Sequence, residues 1–518
     1  MLTHKELLRQ EWTRFLRPAR LIALVTAALM VLALGLLYAF GNHASCSGPC
    51  PTDPTGPDDT AVSDQFAFMH RDLSREGGIT VRMTSMTGTI TYPPPHHDRI
   101  VPGLVPWAKA GIIVKDGVRQ GSSYAALMVT GDHGVRMQYD YGQDIAGSSV
   151  NGGSVSEQAP VWLRLTRAGD TVTGYESSDG ERWAKVAEVK LAGLSDTAQV
   201  GMFATSPGDL TLRPVGLGGV TEQVRFTQAA GSFDRIGLQG AAAGGSWRSG
   251  TVGEMNATDW EKYHQASGAV EQDGTFTVTG TGDIAPAATS GGRPVEGMLT
   301  GLSLALLIVL VVAVRFAGGG SGGREVEGGA PLTRAVFGAR AVVVGSVTFV
   351  TGLLAVGLVV PVGVAVLKSN GVPVVGLSAL TGARVVLGVS AALALAAVLA
   401  LALGAVLRRR WLAVLVAVSA VVVPYAVSTV PLLSDELAQW LLRVTPAAGF
   451  AVQQTLVEYP QVTAHYAPSA GYFPLPWWAG VAVLCAYTAA AVAVALRRLP
   501  QSGERVGAPA DALVGEPA

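Results

Sequence analysis

The stretch "PVWLRLTRAGDTVTGYESSDGERWAKV" occupies residues 160–186. Val161, Leu163 and Leu165 alternate with Trp162, Arg164 and Thr166; Ala168-Gly169-Asp170 interrupts the pattern, "TVTGYES" resumes it, and Ser178-Asp179-Gly180 breaks it again before "RWAKVAEVKL". A side-chain period of two, broken by turns containing Gly and Asp, predicts antiparallel hairpins. The same pattern runs upstream through "KAGIIVKDG", "SYAALMVTGDHG" and "VRMQYDYG", and downstream through "QVGMFATSP", "EQVRFTQAAG" and "GTFTVTGTGD". Many short strands with few helical runs predict an all-β sandwich over residues 41–296, with residues 231–293 its least patterned part.

The flanks of this domain are of another kind. The chain has 518 residues, 49% of them hydrophobic and only 14% charged, where a soluble globular chain carries about 25% charged residues. The apolar excess is concentrated in residues 21–40 and in most of 297–498. A membrane helix needs about 20 apolar residues. Candidate spans are residues 21–40, 297–314, 341–367, 385–407, 411–433 and 476–496, six in all. The first is too long for a cleaved leader and no A-x-A site follows it. The fold class expected is therefore mixed: a polytopic α-helical membrane bundle of six spans with an inserted all-β sandwich. A net charge of −1 offers no basic footprint, so nucleic acid is not an expected partner.

Lys and Arg in short flanks set orientation. Lys5, Arg9, Arg14, Arg17 and Arg20 precede the first span; Arg315, Arg324, Arg334 and Arg340 follow the second; Arg408, Arg409 and Arg410 separate the fourth and fifth; Arg497, Arg498 and Arg505 follow the sixth. With six crossings all these groups fall on one side, which places both termini in the cytoplasm and residues 41–296 outside it, in a plasma membrane. Residues 1–20 carry leucines and aromatics on one helical face and stop at Pro18, which suggests a helix in the headgroup plane or a plain charged leader. Residues 499–518 read as a disordered cytoplasmic tail. After the fifth span, Ser434-Asp435 opens a short amphipathic or re-entrant helix that ends before Pro446.

Chemistry-bearing motifs are few. Cys46 and Cys50 in "CSGPC" could oxidise to a local loop outside the cytoplasm, remain free thiols, or form half a metal site; the disulfide is the expectation, since no nearby Cys or His cluster completes a zinc site. His96-His97-Asp98 reads as a solvated loop, because adjacent side chains on an extended segment point apart. The chain contains no Gly-Lys pair and so no G-x-x-x-x-G-K-[ST] phosphate loop. The spans carry no series of carboxylates for proton coupling; Lys368 and Arg384 stand near span ends.

Two resemblances follow from particular residues. "PWAKAGIIVKDG…SSYAALMVTGDHGVRMQY", "PVWLRLTRAGDTVTGYESSDGERWAKV" and "VGMFATSP", spanning about residues 64–227, resemble the concanavalin A-like, laminin-G-like family. That resemblance implies a two-sheet sandwich, in some members carbohydrate-binding. The E-x-D-x-x-E strand of related glycanases is absent, so paired-carboxylate hydrolysis is not implied. Trp107, Trp162 and Trp183 are expected in the core or at its edge, with a sugar-stacking platform as the functional alternative.

"LLRQEWTRFLRPARLIAL", "LTRAVFGARAVVVGSVTFVTGLLAVGL", "LALGAVLRRRWLAVLVAVSAVVVPYAV", "LLRVTPAAGFAVQQ" and "PWWAGVAVLCAYTAAAVAVALRRL" resemble permeases of type-2 ABC exporters, the actinobacterial kind above all. The resemblance implies a non-enzymatic permease without cofactors, working as a homodimer or heterodimer with a separate cytoplasmic ABC ATPase. It makes Arg315, Arg324, Glu325, Glu327 and Arg334 candidate docking contacts, although "RFAGGGSGGREVEGGAPLTRAV" is unusually glycine-rich for a coupling helix and could serve as a flexible connector. A non-transporting receptor that uses the sandwich as a sensor is the alternative, and an anchored glycan-active enzyme the third reading. Topology is directly testable: a reporter active only outside the cytoplasm is expected to work when fused near Gly240, and activity of a cytoplasm-only reporter at that site would overturn the orientation.

Overall fold

In a computed structural model, residues 4–44, 53–92, 99–148, 155–216, 219–241, 246–253, 266–287, 292–318, 332–407 and 409–500 are described. The apolar runs are helical: α1 (His4–Phe15), α2 (Pro18–Gly41), α3 (Leu302–Ala317), α4 (Arg334–Ser369), α5 (Ala379–Val406), a composite α6 (Arg410–Thr429), α7 (Asp435–Val444) and α8 (Trp477–Arg498). Five of them, α2, α4, α5, α6 and α8, are long and apolar enough to cross a membrane. The remaining expected span, residues 297–314, is a shorter helix of 16 residues preceded by a 3-10 turn, Val295–Leu299. Within α6 a π-turn over Val418–Val422 precedes Pro424; the wider turn accommodates a residue that lacks an N–H and crowds the preceding carbonyl. Ile22, Val25, Leu29, Leu37 and Leu354 are each more than half exposed on the bundle's outside. An apolar girdle of that kind is stable only against lipid or another apolar surface.

At the end of the bundle opposite the β-domain, arginines close the helices. Buried Arg340 donates to the Phe316 and Ala317 carbonyls at the C-terminus of α3, at 3.2 and 2.9 Å, and pairs with buried Glu11 of α1 at 2.9 Å. Arg410 donates to Gly318 O, Arg498 to Val406 O, Arg334 to Leu499 O and Arg20 to Arg14 O. Helix C-termini expose unpaired carbonyls with partial negative charge, so cations there are favourable. The N-terminal helix is thus packed into the bundle through Glu11 and through Phe15, which meets Phe316 edge-on at 4.9 Å.

The β-domain consists of β1 (Val62–Asp64), β2 (Phe66–Thr91), β3 (Ile100–Pro102), β4 (Lys109–Lys115), β5 (Tyr124–Thr130), β6 (Val135–Tyr139), β7 (Gln143–Ala146), β8 (Val161–Ala168), β9 (Thr171–Ser177), β10 (Ala184–Lys190), β11 (Ala198–Thr205), β12 (Asp209–Val215), β13 (Gly219–Ala241), β14 (Arg248–Val252), β15 (Gly268–Gln272), β16 (Thr275–Gly280) and β17 (Ile284–Pro286). All the pairings are antiparallel, and the main run is β10-β9-β8-β2-β11-β4-β5-β6-β7, with β13 along β2. The 26-residue β2 pairs with β11 through residues 67–73 and with β8 through residues 76–83. At the start of the second stretch lies Gly77-Gly78, where a Cβ would fall 2.3 Å from Gln239 O and 2.4 Å from Leu165 O; only glycine lets the neighbouring backbones approach this closely. The β8–β9 hairpin pairs Trp162 with Ser177 and Ala168 with Thr171 about Gly169-Asp170, and Leu163 and Leu165 are buried.

Strands β4 and β5 are buried on both faces. One face enters the main core with Ile112, Val114, Leu127 and Val129; the other packs against Val62, Phe66, Tyr141 and Ile284. This second layer carries the chain in and out of the domain, because β1 pairs with β17 from Val62↔Pro286 to Asp64↔Ile284. Two buried lysines fasten it. Lys115 Nζ reaches Asp64 Oδ2 at 2.8 Å with neither side chain exposed, and Tyr141 Oη and Gly121 N donate to the same oxygen. Lys109 Nζ reaches Asp283 Oδ1 at 2.5 Å and Ile284 O at 2.8 Å. Desolvation lowers the Lys115 pKa and the Asp64 charge opposes that shift. Asp64→Ala strands a buried ammonium and is expected to cost about 3–5 kcal/mol, whereas Asp64→Leu with Lys115→Met costs far less; hydrogen exchange of β4 and β5 in the full chain measures both.

Candidate functional site

The β-domain and the helices meet around a cavity of about 640 Å3. Its floor is the start of α3, with Thr300 and Ser303; its walls bring Tyr38 from α2, Val372 and Pro373 from the α4–α5 loop, and Tyr425 and Thr429 from α6. Phe473 closes another side, and Glu222 of β13 reaches in from the β-domain. The frame is cross-braced. Arg293 N donates to Pro373 O and Val375 N to Arg293 O, while Asn370 Nδ2 donates to Ala39 O and Asn42 O. The chain leaving α2, the chain entering α3 and the α4–α5 loop therefore form one collar.

Glu296 is the charged group set deepest in this collar. Its carboxylate accepts from Thr455 N and from Thr455 Oγ1, the latter at 3.0 and 2.8 Å. Burial raises its pKa, and the Thr455 and Leu456 donors pull it back. Beside it Tyr425 Oη and the Gln453 amide lie 3.2 Å apart, both buried. Arg384 donates to Gln454 O, and Gln454 Oε1 accepts from Phe473 N at 2.9 Å. Two contacts carry the frame up to the β-domain. Buried Gln461 donates to Tyr141 O and Gly142 O at 3.5 and 3.3 Å. His465 lies between Asp435 at 2.7 Å and Glu222 at 3.5 Å.

The lining is mixed, apolar in its walls and polar at a few fixed points, the usual make-up of a small-molecule pocket. Among the described residues, no group of three or more His, Cys, Asp or Glu side chains is placed to hold a metal ion.

The residues singled out in the sequence lie elsewhere. Arg315 and Arg334 are exposed at the opposite end of the bundle, on the last turn of α3 and the first of α4. Arg324, Glu325, Glu327, Cys46, Cys50, His96, His97 and Asp98 lie outside the described residues. Trp107 is 6% exposed with its ring stacked on His133 at 3.9 Å; Arg164 covers Trp183 at 3.8 Å; the Trp162 ring packs against Gly180. Each indole already has a protein group against its ring. Sequence reading missed Glu296, Gln453, Thr455 and Glu222; the available signals were a lone carboxylate abutting an apolar run and the Gln453-Gln454 pair after "PAAGFAV".

No protein-family model matches the chain, and no curated protein matches its sequence. Among solved structures, scytalido-glutamic peptidase with a transition state analog inhibitor is similar at 9% identity and a TM-score of 0.27, over 43% of this chain and 100% of that one. A functionally unknown protein from Saccharomyces cerevisiae is similar at 17% identity and a TM-score of 0.20, over 34% of this chain and 74% of that one. A GH43 protein from Bacillus licheniformis follows at 13% identity and a TM-score of 0.19, over 32% of this chain and 28% of that one. Similarity at this level assigns neither fold nor activity.

Because Glu296 is raised, its folded-state pKa exceeds the unfolded value of about 4.3. The stability this contributes is complete below that value and is lost as pH rises through the folded pKa. Glu296→Gln is expected to remove that pH dependence while keeping an acceptor for Thr455. Glu296→Leu leaves the Thr455 donors unpaired and is expected to cost about 1–3 kcal/mol. Thermal unfolding of the reconstituted protein across pH checks both.

Proposed function

We propose that this chain is the membrane-spanning subunit of an ATP-driven exporter of the type-2 ABC class, working as a dimer with a separate cytoplasmic ATPase. In this reading α3 completes a set of six spans, the arginine-rich end faces the cytoplasm, and the β-domain is a jelly-roll of the concanavalin A-like kind outside it, in contact with substrate, glycan or a partner. ATP hydrolysis belongs to the partner subunit, since the chain lacks a phosphate loop.

The observation that supports this reading most is the clamp at the arginine-rich end. Residues 319–331 join α3 to α4, and both helix ends that hold them are fixed: Arg340 and Arg410 grip the last carbonyls of α3, and Arg340 grips α1 through Glu11. A load applied to the facing ends of α3 and α4 moves α1, α3 and α4 together, as coupling to an ATPase requires. At the other end of the same helices is a cavity with apolar walls. Ionisable groups arranged for ion-coupled transport are lacking among the described residues of the spans, which favours a mechanically driven cycle.

Purification of the tagged chain from its native membranes is expected to bring down an ATPase with Walker motifs. Arg315→Glu with Arg334→Glu should weaken that association by about tenfold or more, equivalent to roughly 1.4 kcal/mol. Recovery of the chain with no nucleotide-binding partner overturns the exporter and favours a sensor that reads the β-domain through Gln461.

A further inference from the structure

Lys115, Asp64 and Tyr141 form a closed triangle of reactive groups inside the β-domain. Lys115 and Asp64 are fully buried, and Tyr141 is 1% exposed. Each N–H of the ammonium has one acceptor: Asp64 Oδ2 at 2.8 Å, Ser122 O at 3.0 Å and Tyr141 Oη at 3.1 Å. Tyr141 Oη donates in turn to Asp64 Oδ2 at 2.7 Å, and Gly121 N donates to the same oxygen at 2.8 Å. Among the described residues nothing donates to the other carboxylate oxygen, Asp64 Oδ1, which is buried as well. Phe66, Tyr124, Met128 and Ile284 belong to the same apolar layer.

An ion pair is a poor end state for this arrangement. A buried carboxylate with one unsolvated oxygen keeps much of its desolvation cost, and buried charges favour neutralisation. Burial pushes the Lys115 amine down, against the pull of the Asp64 charge, and holds the Tyr141 phenol protonated. A neutral amine is a nucleophile. Here it is fixed against a carboxyl group by hydrogen bonds on every side, and such proximity accelerates reaction by several orders of magnitude. The neighbouring pair differs. Asp283 is 14% exposed, and its Oδ1 takes both Lys109 Nζ and Ile284 N. Among the described residues no hydroxyl links Lys109 to Asp283.

We propose that Lys115 and Asp64 condense to an intramolecular isopeptide bond, with Tyr141 relaying the proton. One proton passes from Nζ directly to Oδ2 along their hydrogen bond, leaving a neutral amine and a neutral acid. The freed nitrogen lone pair attacks Asp64 Cγ and forms the C–N bond. A second Nζ proton moves to Tyr141 Oη as the Tyr141 proton moves to Oδ2. The Cγ–Oδ2 bond then breaks, and the oxygen leaves as water with both protons. The third proton stays on the nitrogen, facing Ser122 O, and Oδ1 becomes the carbonyl of a neutral amide. The bond fastens β1 to β4, so a pull from α2 meets a covalent stop where the chain enters the β-domain. It needs no ATPase and stands apart from the exporter reading.

The test is the mass of the full chain, purified in detergent and then denatured. It is expected to be lower by one water than the amino-acid sequence requires. Digestion should give the peptides carrying Asp64 and Lys115 joined as one branched species, with Lys109 and Asp283 on separate peptides. Lys115→Met with Asp64→Leu removes both reactants and should restore the full mass. Tyr141→Phe keeps the ring and breaks the proton path. In a pulse-chase its bond should form about a hundredfold more slowly, the order of general acid–base catalysis, while hydrogen exchange of β4 and β5 shows the layer intact. Formation at the wild-type rate in that variant overturns the relay. A Lys115 amine that acylates fully after denaturation marks a plain ion pair and overturns the proposal. So does a lost water with Asp64 and Lys115 on separate peptides, which points to dehydration at an Asp-Gly step such as Asp116-Gly117.

Discussion

Everything else in the molecule depends on the narrow two-stranded neck through which the chain enters and leaves its β-domain. Asp64 and Ile284 face each other across it, and Lys115 and Lys109 hold its strands from inside the β-domain. A domain can be set between two consecutive helices only if its ends lie close together, since the helices must still pack as neighbours. Burying two ammonium groups is costly, and each is offset by a carboxylate together with a backbone carbonyl: Asp64 and Ser122 O for Lys115, Asp283 and Ile284 O for Lys109. Such pairs add little net stability compared with hydrophobic packing, but they penalise any arrangement in which the neck strands shift by one residue.

The two ends of the bundle solve opposite electrostatic problems. Where helices α1, α3, α5 and α8 finish, guanidinium groups meet the exposed carbonyls, so the arginines concentrated in the sequence have structural work beyond orientation. Where α3, α5 and α8 begin, the ring of contacts is built instead from Asn370, Gln453, Gln454, Thr455 and Glu296. One end is a rigid clamp; the other is an open collar with a cavity inside it.

Local patterning made much of this legible. The Gly169-Asp170 hairpin, the breaks at Pro18 and Pro446, and the five long apolar helices all follow from periodicity, turn residues and length. Strand β2 is not marked by periodicity because Arg71, Asp72, Arg75 and Glu76 interrupt its apolar alternation, although β8, β11 and β13 pair along that strand. Helix α4 runs from Arg334, earlier than its apolar stretch, because Thr333 accepts from Val336 N and caps it. The cavity could not be read at all: its residues come from widely separated segments that contribute one or a few side chains each, and only the fold brings them together.

The brevity of α3 has a consequence for the surrounding membrane. Its 16 residues rise about 24 Å at 1.5 Å each, against a hydrocarbon thickness of about 30 Å. If its arginine-gripped terminus sits level with the other helix ends, its Thr300 and Ser303 terminus falls short of the opposite boundary by roughly 6 Å. Under the proposed placement in a bilayer, water and headgroups are then drawn down into a dimple beside Thr300 and Ser303, and the hydrocarbon layer is thinnest at that point of the bundle's rim.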